Sequence, residues 1–436
     1  MLKMKHLLVF GAGKSATVLI DYLKKKVSEK QYTLTVADGN LDTVKHKLGT
    51  APFTQAVQLD MLDDEKRSSL IQQADIVISL MPPSLHLPVA EDCLRLGKHL
   101  LTASYVDPKI SALAEQIKAK GLLFLCEMGL DPGIDHMSAM QLIHRIKAAG
   151  GVIDSFYSHC GGLVAPESDD NPWHYKISWN PRNVVLAGKA GAIYRENGSP
   201  KQLAYSELFE QDTTVYIPSL GTLAYYANRD SLSYIDLYQL PEATNFLRTT
   251  LRYPDFCKGW AAIVRLKLTD ETVMYETNGL SIHNFLQQHL QQQQLNTSFD
   301  ELMSDPFIRN QFEYLGFFSD TIINKGRCSS ADMLQWRMEQ SWVLQPEDKD
   351  MIVMLHEIIY SQHKQQHAIK SSLVVKGENH LRTAMAKTVG LPLAIAAVLI
   401  AEGKLTETGL HIPIIPSIYE PVLSILREEG IVFKEV

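Results

Sequence analysis

The chain has 436 residues, enough for two or three domains at roughly 150 residues each. Hydrophobic residues make up 45% and charged residues 21%, which excludes a disordered chain, and the net charge of -7 predicts no broad basic surface for nucleic acid or an anionic membrane. The five cysteines are odd in number and form no Cys-x-x-Cys pair, so neither a disulfide framework nor a metal site is expected. No apolar run reaches the roughly 18 residues of a membrane helix. We expect a cytoplasmic protein.

The first 130 residues alternate between two periodicities. Short apolar runs that predict buried strands occupy residues 6–10, 34–36, 76–80, 99–101 and 122–125. Helical patterns lie between them at residues 15–26, 41–48, 63–73, 88–96 and 108–120. Strands and helices in alternation predict a parallel sheet with right-handed crossovers.

The pattern changes after residue 150. Residues 152–160 and 261–268 have strand character, residues 281–367 have a helical pattern, and residues 381–401 form an apolar helix. The predicted fold class is therefore α/β: an N-terminal Rossmann doubly wound parallel sheet, a second α+β mixed-sheet domain and an inserted helical subdomain. The corresponding domains are residues 1–130 with 381–436 for dinucleotide binding, 131–280 for substrate binding and dimerisation, and 281–380 for the helical subdomain.

A glycine-rich turn follows the first predicted strand. Gly11, Ala12, Gly13, Lys14, Ser15 and Ala16 form a Gly-x-Gly-x-x-Ala motif that opens a helix. Glycines at the first and third positions allow a tight turn and a close approach of a pyrophosphate, and Ala16 allows close packing of helix on strand. The free N–H groups at the helix start favour an anion.

Asp38 ends the second predicted strand, about 20 residues after the turn. A carboxylate at this position suits the ribose hydroxyls of NAD and repels the additional phosphate of NADP. No arginine follows in the next three residues, so the local chemistry favours NAD.

Two further loops follow predicted strands and are expected at the same edge of the sheet. Ser79 and Leu80 precede a Met-Pro-Pro sequence, and Ala103 and Ser104 follow the run at residues 99–101. Ligands of open α/β sheets bind at the carboxyl ends of strands, so both loops are predicted to contact ligand.

A set of longer motifs resembles one family. EMGLDPGIDH at residues 127–136, SHCGGLVAPE at 158–167, KISWNPR at 176–182, TLRYP at 250–254 and GLPLAIA at 390–396 together resemble the saccharopine dehydrogenases of the glutamate-forming type (saccharopine reductases). The resemblance extends over nearly the whole chain.

The resemblance implies an oxidoreductase of lysine metabolism. L-glutamate and 2-aminoadipate 6-semialdehyde condense to an imine, which a nicotinamide cofactor reduces to saccharopine, or the reverse. The relatives mostly use NADP, and their second strand typically ends in Ser-Arg-Thr, where this chain has Ala37, Asp38 and Gly39. The cofactor is accordingly NADP or NAD, and the direction of the reaction is left open.

The resemblance also assigns site residues. The catalytic residues are Asp131, Tyr105 and Cys160, although a packing role for Cys160 is an equal alternative. The substrate, a small molecule with several carboxylates, is assigned to Ser104, Tyr105, Asp131, Gly161, Arg229, Thr250, Leu251 and Arg252. The cofactor is assigned to Gly11, Ala12, Gly13, Lys14, Ser15, Ala16, Asp38, Asp60, Met61, Ser79, Leu80, Ala103, Ser104, Leu130, Pro132 and Trp179.

The chemistry of these side chains agrees with the assignment. Arg229 and Arg252 can each bind a carboxylate through two parallel hydrogen bonds, and Asp131 and Tyr105 can handle protons at the amine. Two alternatives remain: a related imine-reducing enzyme such as carboxynorspermidine dehydrogenase, or an inactive nicotinamide-binding sensor. A homodimer is the default assembly.

Overall fold

The computed structural model describes residues 4–30 and 32–435. The chain divides into two compact units: unit 1 comprises Met1–Gly150 and Leu381–Phe433, and unit 2 comprises Gly151–His380 and Lys434–Val436. The predicted boundary at residue 130 precedes the helix Ile134–Ala148, which belongs to unit 1.

Unit 1 is an α/β unit. Its strands are β1 (His6–Phe10), β2 (Thr33–Asp38), β3 (Thr54–Gln58), β4 (Ile76–Ser79), β5 (His99–Thr102), β6 (Leu123–Leu125) and, after unit 2, β18 (Gly409–His411). Its helices are α1 (Ala16–Lys30), α2 (Leu41–Leu48), α3 (Asp64–Gln73), α4 (His86–Leu96), α5 (Pro108–Ser111), α6 (Ala114–Ala119), α7 (Ile134–Ala148), α16 (Ala384–Ala401) and α17 (Pro416–Glu428).

The seven strands form one parallel sheet in the order β18-β6-β5-β4-β1-β2-β3. Strand order reverses between β1 and β4, as in doubly wound dinucleotide-binding folds. The predicted Rossmann sheet is confirmed. Sequence reading missed β3, an edge strand whose TQAVQ sequence contains no apolar run, and the three-residue β18.

Helix α16 explains the apolar segment near residue 390. It is long and apolar enough to cross a membrane by length and composition, so the expectation that no apolar run reaches this length is wrong, but 83% of it is buried within the structure. A Cβ atom at Gly390 would lie 3.0 Å from Leu19 and 3.2 Å from the Ser15 carbonyl oxygen, so α16 packs closely on α1. Its apolar character therefore reflects core packing.

Unit 2 is a mixed unit. Its strands are β7 (Val152–Val164), β8 (Ala192–Glu196), β9 (Ser199–Leu203), β10 (Thr214–Ile217), β11 (Gly221–Ala227), β12 (Arg229–Asp230), β13 (Asn245–Arg252), β14 (Met274–Glu276), β15 (Arg327–Ser329), β16 (Asp350–Gln362), β17 (Gln365–Lys376) and β19 (Lys434–Glu435). Its helices are α8 (Pro181–Val185), α9 (Tyr205–Leu208), α10 (Ser233–Leu237), α11 (Pro254–Arg265), α12 (Ile282–Gln293), α13 (Asn296–Met303), α14 (Pro306–Tyr314) and α15 (Ser330–Ser341).

Ten of these strands form a mixed sheet with β13, β7 and β16 in its interior. β13 runs parallel to β7, and β16 runs antiparallel to it. The predicted α+β character is confirmed. The strand predicted at residues 261–268 is wrong, because Pro254 begins α11 there and the apolar run faces the core as one side of a helix.

The predicted helical segment, 281–380, is helical only in its first part. Helices α12 to α15 extend to Ser341, and the long hairpin β16–β17 follows. β16 lies inside the sheet and is buried on both faces over residues 350–356, so its nearly continuous apolar sequence lacks the alternation of a half-exposed strand.

Candidate active site

The glycine turn of unit 1 connects β1 to α1. Gly11 has φ +100°, and a Cβ atom there would lie 3.1 Å from the Leu80 carbonyl oxygen, so a side chain is excluded. A Cβ atom at Gly13 would meet nothing within 4 Å, which leaves the backbone at the start of α1 open to a ligand. This combination fits a pyrophosphate at the helix N-terminus.

Asp38 is fixed beside this turn. Its Oδ2 accepts a hydrogen bond of 2.7 Å from the Ala12 N–H, and its Oδ1 accepts one of 2.9 Å from the Asn40 N–H. Lys47 also reaches the turn, where its Nζ donates to the Gly13 carbonyl at 2.6 Å and to the Thr17 hydroxyl at 2.7 Å. Burial lowers the pKa of Lys47 to about 8.

The other predicted cofactor residues of unit 1 follow strands of the same sheet. Ser79 ends β4, Ala103 and Ser104 follow β5, and Asp60 and Met61 follow β3. Met61 is buried, and its carbonyl accepts from Arg67 Nη1 at 2.7 Å. Lys14 and Ser15 lie in the turn, and Ala16 is the first residue of α1.

A buried histidine joins two of these strand ends. His86 Nδ1 lies 2.9 Å from Ser79 Oγ, and His86 Nε2 lies 2.8 Å from Ser104 Oγ. Burial lowers the pKa of His86 to about 4. Sequence reading missed His86, because a histidine at a helix start carries no motif of its own.

Tyr105 and Asp131 are brought together, as predicted. The Tyr105 hydroxyl donates to Asp131 Oδ1 at 3.4 Å. The loop that carries Asp131 is tied to the β5 loop, because Glu127 N–H donates to the Ser104 carbonyl at 3.0 Å. Leu130 and Pro132 accept backbone hydrogen bonds inside the same loop, so both serve its geometry.

Hydrogen bonds between buried polar groups stabilise the loop that carries Asp131. His136 Nε2 lies 2.8 Å from Glu127 Oε2, and the Gly133 N–H donates to Asp135 Oδ1 at 2.6 Å. A Cβ atom at Gly133 would lie 2.1 Å from the Gly129 carbonyl oxygen. These contacts fix the position of Asp131 relative to β5 and β6.

Arg252 is the most unusual side chain of unit 2. It is 4% exposed, and its guanidinium carbon lies 5.3 Å from the Phe256 ring centroid, 5.4 Å from that of Tyr175 and 6.0 Å from that of Tyr226. Nη1 donates to the Leu251 carbonyl at 2.8 Å. Among the residues the structure describes, Nε has no hydrogen-bond partner and no carboxylate forms an ion pair with this guanidinium. A buried cation without a carboxylate partner favours the binding of an anion.

Strand register places Cys160 and Thr250 on the same face as Arg252. Cys160 pairs with Thr250, and Ala224 pairs with Arg252. Leu251 points to the opposite face, where it is fully buried in an apolar cluster. The Leu251 side chain therefore occupies a core position, which follows from the two-residue period of a strand, and the expected contact of Leu251 with substrate remains a prediction.

Gly161 is required by strand packing. A Cβ atom there would lie 2.4 Å from the Leu251 carbonyl oxygen, so β7 and β13 could not approach with any side chain present. The expected role as a ligand donor remains a prediction.

Within unit 2, Arg229 lies apart from Arg252, whereas Trp179 lies near it. Arg229 is exposed with φ +49° in β12, and Asn228 N–H donates to the Arg248 carbonyl, so Arg229 lies towards the other end of β13 from Arg252. Both arginines lie in strands, Arg229 in β12 and Arg252 at the end of β13. The Trp179 indole N–H donates to the Tyr175 hydroxyl at 3.3 Å, next to the Arg252 cluster.

A cavity of about 450 Å³ opens beside α11 in unit 2. Its lining includes Phe209, Asp212, Cys257, Lys258 and Arg265, and none of the predicted site residues is among the residues that line it. Lys258 pairs with Asp305 and Arg265 with Glu301, so its two cations already have partners. We assign no function to this cavity.

The architecture defines the class of protein. A Rossmann-type dinucleotide-binding domain is followed by an α+β domain with a buried arginine that has no carboxylate partner among the described residues. Comparison with known proteins gives the family. Residues 7–125 match the saccharopine dehydrogenase NADP binding domain, and residues 129–431 match the saccharopine dehydrogenase C-terminal domain. The chain belongs to the saccharopine dehydrogenase family, as its motifs predicted.

Individual relatives agree with this result. The chain is 32% identical over 99% of both chains to saccharopine dehydrogenase [NADP(+), L-glutamate-forming] of Saccharomyces cerevisiae. It is also 32% identical to alpha-aminoadipic semialdehyde synthase of Arabidopsis thaliana, of which it spans only 45%. The solved apo structure of the S. cerevisiae saccharopine dehydrogenase (L-Glu forming) matches with a TM-score of 0.89 over 99% of each chain. A homospermidine synthase from Legionella pneumophila, at 11% identity and TM-score 0.58, shares the fold.

Proposed function

We propose that the protein is an NAD(P)-dependent saccharopine dehydrogenase that interconverts saccharopine, water and the oxidised cofactor with L-glutamate, 2-aminoadipate 6-semialdehyde, the reduced cofactor and a proton. The buried Arg252 carries the proposal. The guanidinium contacts three aromatic rings and a backbone carbonyl but has no carboxylate partner among the described residues, which favours an anionic ligand, and saccharopine has three carboxylates.

The dinucleotide fits the glycine turn. Gly11 and Gly13 leave room for the pyrophosphate, and the N-terminus of α1 supplies N–H donors. When bound, the nicotinamide ring accepts or donates the two electrons of the reaction. The protein's part is to hold substrate and cofactor in position.

Protons at the secondary amine are handled on the Asp131 loop. Asp131 and the Tyr105 hydroxyl form a hydrogen-bonded pair fixed by the contacts of Glu127 and Gly133. In this proposal Asp131 takes a proton from the secondary amine as the amine is oxidised and releases it to solvent, which is the proton product. The regenerated carboxylate then activates water for attack on the imine carbon, and the protons of this water pass to the nitrogen, which leaves as the amino group of glutamate. The Tyr105 hydroxyl orients a carboxylate of the substrate. Cys160 lies on the same face of the unit 2 sheet as Arg252.

The polyamine-type alternative is disfavoured by the same arginine. A diamine substrate would place its positive charge beside a buried cation, which costs free energy. An inactive sensor would retain cofactor binding without turnover, and the first experiment below separates it from an enzyme.

The cofactor preference depends on Asp38. Both of its oxygens accept backbone hydrogen bonds, so the carboxylate is held in place at the end of β2 and cannot turn away from an incoming phosphate. We therefore propose that this chain prefers NAD, although its matched domain is named for NADP.

The test is absorbance of the reduced nicotinamide with saccharopine plus NAD in one cuvette and saccharopine plus NADP in another. Turnover with formation of glutamate supports the proposed reaction, and faster turnover with NAD supports the role of Asp38. Cofactor binding without turnover in either cuvette would contradict the proposed activity, and carboxynorspermidine is then the substrate to assay next.

We also propose a cytoplasmic homodimer that binds neither nucleic acid nor membranes. The acidic net charge and the frequency of two-fold symmetric enzymes support it. Light scattering coupled to gel filtration gives the mass directly, and a mass near 49 kDa would contradict the dimer.

A further inference from the structure

A short chain of hydrogen bonds crosses the carboxyl edge of the unit 1 sheet. It links Ser79 at the end of β4, His86 at the start of α4 and Ser104 after β5. The proposed reaction does not use His86, and the imidazole is 3% exposed. Its two ring nitrogens contact two different hydroxyl groups, so its protonation decides which way each hydroxyl points.

Ser79 fixes the direction of the chain. Its side chain is completely buried, and within the described part of the chain the only hydrogen-bond partner of Ser79 Oγ is His86 Nδ1. If Nδ1 carried the proton, the Ser79 hydroxyl hydrogen would be buried without an acceptor, which is costly. The Ser79 hydroxyl therefore donates to an unprotonated Nδ1.

The remaining steps follow from the neutral imidazole. Its single proton is then on Nε2, which donates to Ser104 Oγ at 2.8 Å. Ser104 Oγ accepts this bond and has no other hydrogen-bond partner among the described residues, while its side chain is partly exposed. The hydroxyl hydrogen of Ser104 is consequently directed outward and available to a ligand.

We propose that the Ser79–His86–Ser104 relay is a positioning device that presents the Ser104 hydroxyl as a hydrogen-bond donor to a carboxylate of the substrate. Ser104 follows β5, and the order β5-β4-β1 places it two strands, roughly 10 Å, from the phosphate-binding turn after β1. It lies instead beside the Tyr105–Asp131 pair, because Glu127 N–H binds the Ser104 carbonyl. The carboxylate assignment rests on the proposed function, whereas the direction of the relay does not.

The direction is tested on the protein without ligand. With ¹⁵N-labelled histidine, a two-bond ¹H–¹⁵N correlation spectrum distinguishes the two neutral forms, and the His86 signals among the 15 histidines are those lost in His86→Gln. We expect the form protonated at Nε2. A proton on Nδ1, or on both nitrogens at neutral pH, would overturn the relay whether or not saccharopine is the substrate.

The role of the relay in substrate binding is tested with two amide variants of His86. Each variant retains a polar group at the position of only one of the two ring nitrogens. The glutamine amide occupies the position of Nε2 and can still donate to Ser104, whereas the shorter asparagine amide occupies that of Nδ1 and cannot. We expect His86→Asn and Ser104→Ala each to raise the KM for saccharopine about tenfold, His86→Gln less than about threefold, and none to change the KM for the cofactor. Equal effects of the two amide variants, or a rise in the cofactor KM, would contradict the proposal. Absence of saccharopine turnover in the unsubstituted protein, with the expected NMR result, would reject the proposed function and the carboxylate while leaving the relay intact.

Discussion

The polar groups of the two units are satisfied in different ways. In unit 1 the buried or fixed groups already have protein partners: both oxygens of Asp38 accept N–H groups, and both nitrogens of His86 contact hydroxyls. In unit 2 the buried Arg252 has aromatic rings and one short carbonyl contact, with Nε left unsatisfied. Unit 1 is thus pre-organised by its own hydrogen bonds, whereas unit 2 depends on the ligand to complete its site. Substitutions in the two units should therefore differ in how strongly they change ligand binding and activity on the one hand and the free energy of unfolding on the other.

The largest effect is expected from Arg252→Met. Loss of the guanidinium should lower kcat/KM for saccharopine about 1,000-fold, about 4 kcal/mol, because a desolvated carboxylate loses its partner. The melting temperature should not fall, since an unpaired buried cation is replaced by an apolar side chain. Steady-state kinetics and thermal unfolding measure both. Arg195→Lys, on an arginine of the same sheet that binds backbone carbonyls, is the control and should retain activity. A large loss of stability in Arg252→Met would show that this arginine is structural.

Two glycine substitutions compare the units directly. Gly161→Ala should lower the free energy of unfolding by about 3 kcal/mol, because the new methyl group overlaps the Leu251 carbonyl between β13 and β7. Gly13→Ala meets nothing within the protein and should leave the stability nearly unchanged while weakening cofactor binding. Urea unfolding and fluorescence titration with the cofactor are the measurements. Equal stability of both variants would contradict the close packing at Gly161.

Asp38→Asn removes charge while retaining an acceptor for one of the two backbone N–H groups. The ratio of kcat/KM for NAD to that for NADP should fall about tenfold, since the repulsion of the additional phosphate is lost. Asp75→Asn, a carboxylate that precedes β4 and accepts the His6 N–H at 2.8 Å at the opposite edge of the sheet, is the matched control. An unchanged ratio in Asp38→Asn would mean that another residue discriminates NAD from NADP, and Lys47 is the next candidate.

The smallest expected effect is on the pH dependence of the free energy of unfolding. It involves Glu357, on the face of the unit 2 sheet opposite to Arg252. Hydrogen bonding from His159, opposed by burial and assisted by Lys370, lowers the pKa of Glu357 from 4.5 to about 2. A carboxyl group with a depressed folded-state pKa stabilises the fold above its unfolded pKa, and this contribution is lost as the pH falls from about 4.5 towards 2. Glu357→Gln should cost about 1 kcal/mol at pH 7, allowing for solvent screening. The difference from the unsubstituted protein in urea unfolding should shrink below pH 4.5, and a constant difference would contradict this account.

Much of unit 1 could be predicted from the sequence because its site follows the chain. The glycine turn, Asp38, Ser79 and Ser104 each lie at or just after the end of a strand, and parallel strands bring their ends together. Unit 2 could be predicted only through its family motifs. The faces of Leu251 and Arg252 depend on strand register, and the rings around Arg252 come from residues 175, 226 and 256, which no local pattern connects.

Two secondary-structure predictions in unit 2 were wrong: the strand at residues 261–268 and the helical character of residues 350–376. A short apolar stretch such as residues 259–264 shows no period whether it belongs to a helix or to a strand, and a strand buried on both faces such as β16 likewise lacks alternation. In α11 the proline at the helix start was the available signal, and in β16 it was the density of Ile, Val and Met.

The return of the chain to unit 1 has a consequence for biosynthesis. Strand β18 and helix α16 lie beyond all of α8 to α15, yet α16 covers α1 and β18 pairs with β6. A ribosome releases residues 1–150 long before residues 381–433, so the nascent Rossmann sheet must wait with the apolar surface of α1 uncovered while the second unit is translated. The N-terminal segment of unit 1 is thus synthesised before unit 2 but completed after it, and its apolar surface is exposed to solvent in the interval.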